Sequence, residues 1–514
     1  MLKKLPIGIQ TFQRIREENY LYIDKTKEAL ELIQSGTKFY FLSRPRRFGK
    51  SLFLDTLQDI FEAKKELFED LYIYDKYNWE DKYPVIKISF AGDLRSPASL
   101  KDVLFALLEQ NQKNLDVQCK KVDNFGICFA ELIQNTYEKY NTQVVVLIDE
   151  YDKAILDNLD QMEVACENRE IIKSFYTILK DNERYIKFAF LTGVTKFSKA
   201  SVFSGLNMLS DISLKPKFGN ICGYTQTDIE TTFLPYLEDV DLRVFKNYYN
   251  GYNFLKDPVY NPFDTLQFIS NDKVYKNYWW ESGSPSFLIK LLKNKHYNLI
   301  ELENIIITEE DLNAFDIENI RLETILFQAG YLTIKSYYND EEFNINEYTL
   351  KVPNKEVDVS LNRLFLNYLT DYNIKINRDI IVSLKEANLT NFKEIMISLF
   401  EDIPHQNYKA KNNTMSNYEG YYASIFYAYM KGTGLTVEAE KSYKNGDADM
   451  IILLNNNIYI IEFKLNKNSK IALEQIKEKE YYKGYIKQEN NIYIIGINFD
   501  TDDKNITQFE WEKI

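Results

Sequence analysis

The sequence predicts an α/β fold: a parallel sheet with helices on both faces, then a mostly helical middle region, then a smaller α/β unit. Three observations predict it. Short apolar runs alternate with amphipathic helix-length stretches up to about residue 225. From about 226 to 400 the pattern is mostly helical. From about 401 the order becomes helix, strand, strand, helix, strand. The chain has 514 residues, and at roughly 100–200 residues per domain this suggests about three domains. The expected division is 1–225, a helical lid or linker at 226–400, and 401–514.

Composition narrows the function classes. With 45% hydrophobic and 27% charged residues, the chain is an ordinary globular one, which excludes disordered and fibrous classes. The net charge of −13 argues against a protein held to nucleic acid by bulk charge, but leaves a local basic site open. A zinc site built on several histidines, or a Ser-His-Asp enzyme, has only His296 and His405 to draw on. Cys119, Cys128, Cys166 and Cys222 form no CxxC pair and read as reduced thiols in a reducing cytosol. No long apolar run follows the N-terminal lysines, and no stretch of about 18 apolar residues occurs. The expectation is a soluble cytoplasmic protein without membrane contact.

The elements follow in order. FYFL (39–42) precedes a helix from about Ser51 to Ala63. VIKISFAG (85–92) precedes a helix over 98–112, VVVLIDE (144–150) precedes another, and FAFLTG (188–193) follows a further one. Buried β-runs separated by helices indicate a parallel sheet covered on both faces. In TQTDIETTF, Thr227 and Glu230 have capping-box spacing. The 225–300 segment is a candidate for a winged helix. Near the end come the helical NYEGYYASIFYAYMKG, the strand DADMIILL, an NNN turn (455–457), the strand IYIIEFKL, a helix over 471–483 and the strand IYIIGINF. Residues 406–514 hold about 14 Lys and about 15 acids, so most of the acidic surplus lies upstream.

FYFLSRPRRFGKSLFLDTL has the form strand, loop, Gly49-Lys50-Ser51, helix. Loop and helix N–H groups suit a phosphate, Gly49 permits close backbone approach, Lys50 neutralises charge, and the Ser51 hydroxyl suits Mg²⁺. Arg44 stands where the usual GxxxxGK[ST] pattern has its first glycine, and a bulky residue there is expected to alter the turn. Arg44, Arg46 and Arg47 add charge for phosphate. About 100 residues later, VVVLIDEYDKA ends an apolar strand in Asp149 and Glu150. The first suits the Mg²⁺ shell and the second suits activation of an attacking water. Thr192, at the end of FAFLTG, suits sensing of a γ-phosphate.

In DADMIILL, Asp447 and Asp449 share a strand face, as do Glu462 and Lys464 in IYIIEFKL. A hairpin at NNN brings Asp449 and Glu462 together. Two carboxylates and a backbone carbonyl, that of Phe463, form an oxygen site for Mg²⁺, and a nearby lysine stabilises phosphate charge or positions a hydroxide. Such parts serve phosphodiester hydrolysis. Glu419 opens the preceding helix, and Gln475, with Lys479 at i+4, lies on the following one.

Taken together, these motifs resemble a known family. LPIGIQTFQRIREENYLYIDKT, SRPRRFGKSLFL, VVVLIDEYDKA, LTGVTKFSKASVFSGLN, NGYNF and YWWESGSPSFLIKLL are similar to an AAA-ATPase-like P-loop NTPase domain. EGYYASIFYAYMKGTG, NGDADMIILL, YIIEFKL and ALEQIKEKEYY are similar to a PD-(D/E)XK nuclease-superfamily domain. The resemblance implies ATP and Mg²⁺ as cofactors. It implies Lys50, Ser51, Asp149 and Glu150 as nucleotide and Mg²⁺ residues, and Asp449, Glu462 and Lys464 as a nuclease core supported by Glu419 and Gln475. RPRRFGKS is the usual form of the loop in that family. The family's Gly-Arg-Ala-Asp is here Gly446-Asp447-Ala448-Asp449.

The expected function is an ATP-binding, ATP-hydrolysing protein that controls a Mg²⁺-dependent nuclease. The expected partner is nucleic acid, DNA ahead of RNA, and ATPases of this type often form homo-oligomers. The alternative is a nucleotide-dependent switch or scaffold whose last domain binds nucleic acid or protein without cleaving. The acidic balance and Asp447 favour that alternative, and the intact Asp449, Glu462 and Lys464 favour the enzyme.

Overall fold

Strand order is the feature of the fold that organises the first site. A computed structural model of the chain describes residues 2–90, 92–121, 123–197, 208–282, 300–302, 304–313, 321–343, 345–369, 375–403, 419–443, 446–486 and 490–514. His296 and His405 lie outside these residues, as do the first two residues of NYEGYYASIFYAYMKG. The chain forms two compact units. One comprises Met1–Gly283 and Ile305–Asn354, and the other Ser284–Asn304 and Lys355–Ile514.

The first unit holds a five-stranded sheet of β1 (Phe39–Ser43), β2 (Val85–Ser89), β3 (Val144–Asp149), β4 (Ile186–Gly193) and β5 (Ser210–Asp211). Their order is β2-β3-β4-β1-β5, and every pairing is parallel. β3 is buried along its whole length, as an apolar strand covered on both faces must be. Helices Lys50–Phe61, Pro97–Leu115, Phe125–Tyr140 and Met162–Asp181 make the crossovers. Ser96 and Ser99 form a capping box, with Pro97 at the first helical position.

The helices after the sheet start differently from the sequence expectation. The capping box near residue 225 is formed by Thr225 and Asp228, so the helix Gln226–Thr231 starts two residues earlier. Thr227 sits inside that helix, and Glu230 accepts from Gln226 instead. Two Thr-x-x-acid spacings overlap here, and the earlier one caps.

The region 226–400 is divided between the two units. Ile229, Phe233, Phe245, Tyr249, Tyr260 and Phe268 share an apolar core with Leu21 of the N-terminal segment. β6 (Ile306–Thr308), β7 (Thr333–Asp340) and β8 (Ile345–Lys351) form an antiparallel sheet in the order β6-β8-β7. The described residues of 225–300 contain no such hairpin, so the winged-helix candidate is not found there.

The second unit holds β9 (Thr436–Tyr443), β10 (Gly446–Leu454), β11 (Asn457–Leu465), β12 (Asn491–Asp500) and β13 (Asn505–Lys513), in the order β13-β12-β11-β10-β9. Only β11 and β12 run parallel. The β10–β11 turn is the pair Asn455-Asn456, with Asn455 left-handed at φ 53, while Asn457 already pairs with Leu454. Helices upstream of residue 401 belong to this unit. Phe392 packs edge-on against Phe509, and Arg363 Nε donates to the carbonyl of Gly432 at 2.8 Å. Tyr422 stacks on Phe499, and Phe426 meets Phe463 edge-on, so the helix Glu419–Gly432 lies on the sheet.

Candidate functional site

β1 runs into the loop 44–49, which delivers the chain to the helix Lys50–Phe61. Gly49 at its N-cap has φ 91, a conformation cheap only for glycine. No atom would crowd a Cβ there, so the requirement is conformational rather than steric. The first N–H groups of the helix have no carbonyl partner within it, which suits them to an anion. Lys50 is buried, and its Nζ donates to the carbonyls of Arg44 and Pro45, both at 2.9 Å. Burial pushes its pKa down, and the charges of Asp149 and Asp152 oppose that shift. Ser51 follows, half-buried.

Arg44 does not add charge for a phosphate. It is 1% exposed, and its guanidinium donates to the carbonyls of Ser43 and Ser213 at 2.8 Å, Phe218 at 3.2 Å and Gly219 at 3.4 Å. It also lies 3.9 Å from the ring centre of Phe254. Burial pushes its pKa down to about 10, so it remains a cation at neutral pH. Nor does it alter the turn by a left-handed backbone: the positive φ values in the loop belong to Arg47 (φ 67) and Gly49. Arg46 and Arg47 are the exposed cations of the loop. Arg46 lies 4.0 Å from Asp157, and Arg47 is 5.1 Å from the Phe263 ring centre.

Later segments hold this loop from outside. Trp279 Nε1 and Asn261 Nδ2 donate to the Arg46 carbonyl at 3.1 and 3.5 Å. Gly330 lies against Pro45, where a Cβ would come within 2.7 Å of the proline ring. Phe48 meets Tyr252 edge-on at 4.8 Å. The loop shape is therefore set by tertiary contacts, which substitute for the flexibility of a first glycine.

Because β4 lies between β1 and β3, Thr192 is placed beside both the loop and Asp149. Thr192 Oγ1 donates to Asp149 Oδ1 at 2.5 Å, and the Glu150 N–H donates to the same oxygen at 3.0 Å. Glu150 is left-handed at φ 54 and lies 3.7 Å from Lys153. Burial pushes its carboxyl pKa up. Sequence reasoning passed over Asp152. This buried carboxylate accepts from Val194 N at 2.9 Å, Thr195 N at 2.6 Å and Thr195 Oγ1 at 2.7 Å. Gly193 is required beside it, since a Cβ would fall 2.5 Å from the Tyr151 ring and 2.8 Å from Asp152. The Arg44 N–H donates to the Gly193 carbonyl at 3.1 Å, tying the loop to this strand end. The motif DEYDKA contained the signal, but no spacing rule singled out its third acid.

The second constellation lies on β10 and β11. Their pairing ends at Met450 and Ile461. Asp449 comes next, and its Oδ2 accepts from the Phe463 N–H at 2.7 Å, so a side chain replaces a ladder carbonyl. Glu462 is 2% exposed. Its Oε1 accepts from Lys464 Nζ at 3.1 Å and from Gln475 Nε2. Its Oε2 has no hydrogen-bond partner. Lys464 Nζ also donates to the Phe463 carbonyl at 2.8 Å. Burial, then the Asp449 charge, pushes Glu462 up to about 7, and burial pushes Asp449 up to about 6.

Glu419, which opens its helix, acts on Asp449 by charge, and so does Glu440. Glu440 was not expected. It is left-handed at φ 46, and the β9 register passes from Lys441 to Ala439 around it, opposite Asp449. Asp447 is exposed, in register with Ser442.

A buried carboxylate oxygen without a donor is costly unless a cation meets it. Glu462, Asp449 and the Phe463 carbonyl offer oxygens only, a donor set for a hard divalent cation. Among the described residues no group of three or more His, Cys, Asp or Glu forms a metal cluster, so the set rests on two carboxylates. The described residues also contain no helix long and apolar enough to cross a membrane.

Residues 6–203 match the family model described as a predicted AAA-ATPase, and residues 417–509 match that of the PD-(D/E)XK nuclease superfamily. The chain is 41% identical over 519 aligned residues to an uncharacterized protein in the vnfD 5' region of Azotobacter chroococcum mcd 1, covering 100% of this chain and 99% of that one.

Proposed function

This chain belongs to the family that joins an AAA-ATPase-like domain to a PD-(D/E)XK nuclease-superfamily domain, and from that premise we propose that it is an ATP-hydrolysing protein controlling a metal-dependent nuclease. The single observation that carries the nuclease half is the buried Glu462, with one oxygen unpartnered, beside Asp449.

In the first unit, Gly49, Lys50 and the helix N-terminus receive the β- and γ-phosphates. Ser51 and Asp149 would hold Mg²⁺. Glu150 orients the attacking water, Thr192 holds Asp149 in place, and the exposed Arg46 and Arg47 add charge at the loop. Bound ATP shifts the chain toward a nuclease-competent state to the extent that it binds that state more tightly.

In the second unit, Asp449 and Glu462 would hold the divalent cation. Such a cation, when bound there, would neutralise phosphate oxygens and supply a nucleophilic hydroxide at neutral pH. Gln475 and Lys464 fix the Glu462 carboxylate by binding its Oε1, which leaves Oε2 for the cation. Lys464 is a positive charge beside the phosphate, and Glu419 adds negative charge that acts on Asp449. DNA is the substrate before RNA. Four free cysteines, three of them buried, fit a cytoplasmic location.

The test is incubation of the full chain with linear, circular and single-stranded DNA and with RNA, with Mg²⁺ or Mn²⁺, with and without ATP. Metal-dependent cleavage that responds to ATP is the expected result. Nucleotide-dependent binding without cleavage under any condition would instead establish a switch or scaffold, the reading that the exposed Asp447 favours.

A further inference from the structure

We infer that Lys479 holds a backbone phosphate of the nucleic acid at the mouth of the carboxylate site, as a substrate-positioning residue in a subsite shaped by Gly446 and Tyr481. The inference rests on the nuclease reading and names a residue that reading leaves unused.

The placement comes from three elements. The helix Ser469–Lys479 carries Gln475 and Lys479 four residues apart, so both lie on one face. Gln475 reaches Glu462 from that face. The helix stops where Glu480 turns left-handed at φ 57, and the next residue, Tyr481, is buried at 1% exposure. Gly446 opens β10, three residues before Asp449, with φ 140. A Cβ on Gly446 would lie 3.1 Å from the Tyr481 hydroxyl and 3.8 Å from both Cδ and Cε of Lys479. The glycine therefore gives room to the Tyr481 hydroxyl, and the stem of the exposed Lys479 lies beside the start of the strand.

Charge gives the ammonium its role. Asp447, Asp449 and Glu462 all act on the Tyr481 hydroxyl, so the strand start and the site share one negative field. The divalent cation of the nuclease reading would offset Asp449 and Glu462, but the exposed Asp447 has no ion pair among the described residues, and its charge repels a polyanion on that flank unless a further cation faces it. Lys464, held on Glu462 and the Phe463 carbonyl, serves the scissile phosphate rather than a flanking one. Lys477 pairs with Glu512 and Lys483 with Glu480, both at 2.7 Å. Among the described residues Lys479 makes no ion pair, and it is exposed. A phosphate flanking the scissile one meets it there as a point charge on a stem beside the strand start.

The test uses the full chain carrying Asp449→Asn, which binds without cutting, and a fluorescently labelled DNA oligonucleotide over a series of salt concentrations. Adding Lys479→Ala should weaken binding about fivefold or more and reduce the slope of log affinity against log salt by about 1. Lys479→Arg should restore both. Lys470→Ala, in the first turn of the same helix, removes the same net charge and should leave both unchanged. Unchanged affinity and slope in Lys479→Ala, or an equal loss in Lys470→Ala, overturns the subsite alone. A parent that binds no oligonucleotide at any salt overturns the nucleic-acid reading and the subsite with it.

Discussion

Thr192 donates its hydroxyl to Asp149 across adjacent parallel strands, at 2.5 Å, and both side chains are buried. The bond directs one oxygen of the carboxylate toward the sheet and holds it there. Replacing Thr192 with valine keeps the shape and removes the donor. A hydrogen bond to a charged group is worth roughly 1.5–3 kcal/mol, and about 1.4 kcal/mol is tenfold in rate. ATP turnover should therefore fall between about tenfold and about a hundredfold. Steady-state ATPase measurements check this, and an unchanged rate removes Thr192 from the site.

Lys50 is the buried cation of the loop, held on the carbonyls of Arg44 and Pro45. Lys50→Ala should weaken ATP binding by roughly a hundredfold, from the loss of charge-assisted phosphate bonds. Titration with a fluorescent ATP analogue reads this directly. Normal hydrolysis by Lys50→Ala would mean that the phosphate loop is wrongly assigned.

Arg44→Gly restores the glycine of the usual loop pattern and empties a slot of four carbonyls. The carbonyls lose a buried donor and a cavity opens beside Phe254. The expected cost is about 3 kcal/mol or more, visible as a lower melting temperature without any gain in nucleotide affinity. A neutral substitution would show that the slot contributes nothing to the loop.

The carboxylate pair predicts a pH dependence of definite sign. Glu462 is raised to about 7 and Asp449 to about 6, against an ordinary carboxylate value near about 4. Between those values the folded chain binds protons that the unfolded chain does not. Metal-free stability from these groups is therefore greatest at low pH and is lost as pH rises through about 6 to about 7. Cation binding has the opposite dependence, because it needs the ionised forms. Glu462→Gln should abolish cleavage, flatten the metal-free melting profile between about pH 5 and about pH 8, and stabilise the metal-free chain at the upper end. Differential scanning calorimetry of both proteins, with and without Mg²⁺, measures each effect. A metal-free profile identical to that of the parent would show that Glu462 does not titrate in this range.

Much of the fold and the site was legible in the residues. The runs FYFL, VVVLIDE and FAFLTG indicated buried parallel strands, because apolar segments alternating with helical patterns are covered on both faces, and they form them. The pairing of Asp449 with Glu462 followed from two alternating strands and a short turn. These features depend on neighbours a few residues apart, and local periodicity records them. Other features joined residues far apart. The order β3-β4-β1 placed Thr192 beside Asp149. Arg44 faces the carbonyls of Phe218 and Gly219 rather than a phosphate. Phe392 belongs with Phe509, which carries the helices before residue 401 into the second unit. The placement of Lys479 beside Gly446 needed a helix end and a strand start to meet. A side chain's charge is written in the sequence, but the group that satisfies it is chosen by packing, and packing is decided only when distant segments share one core.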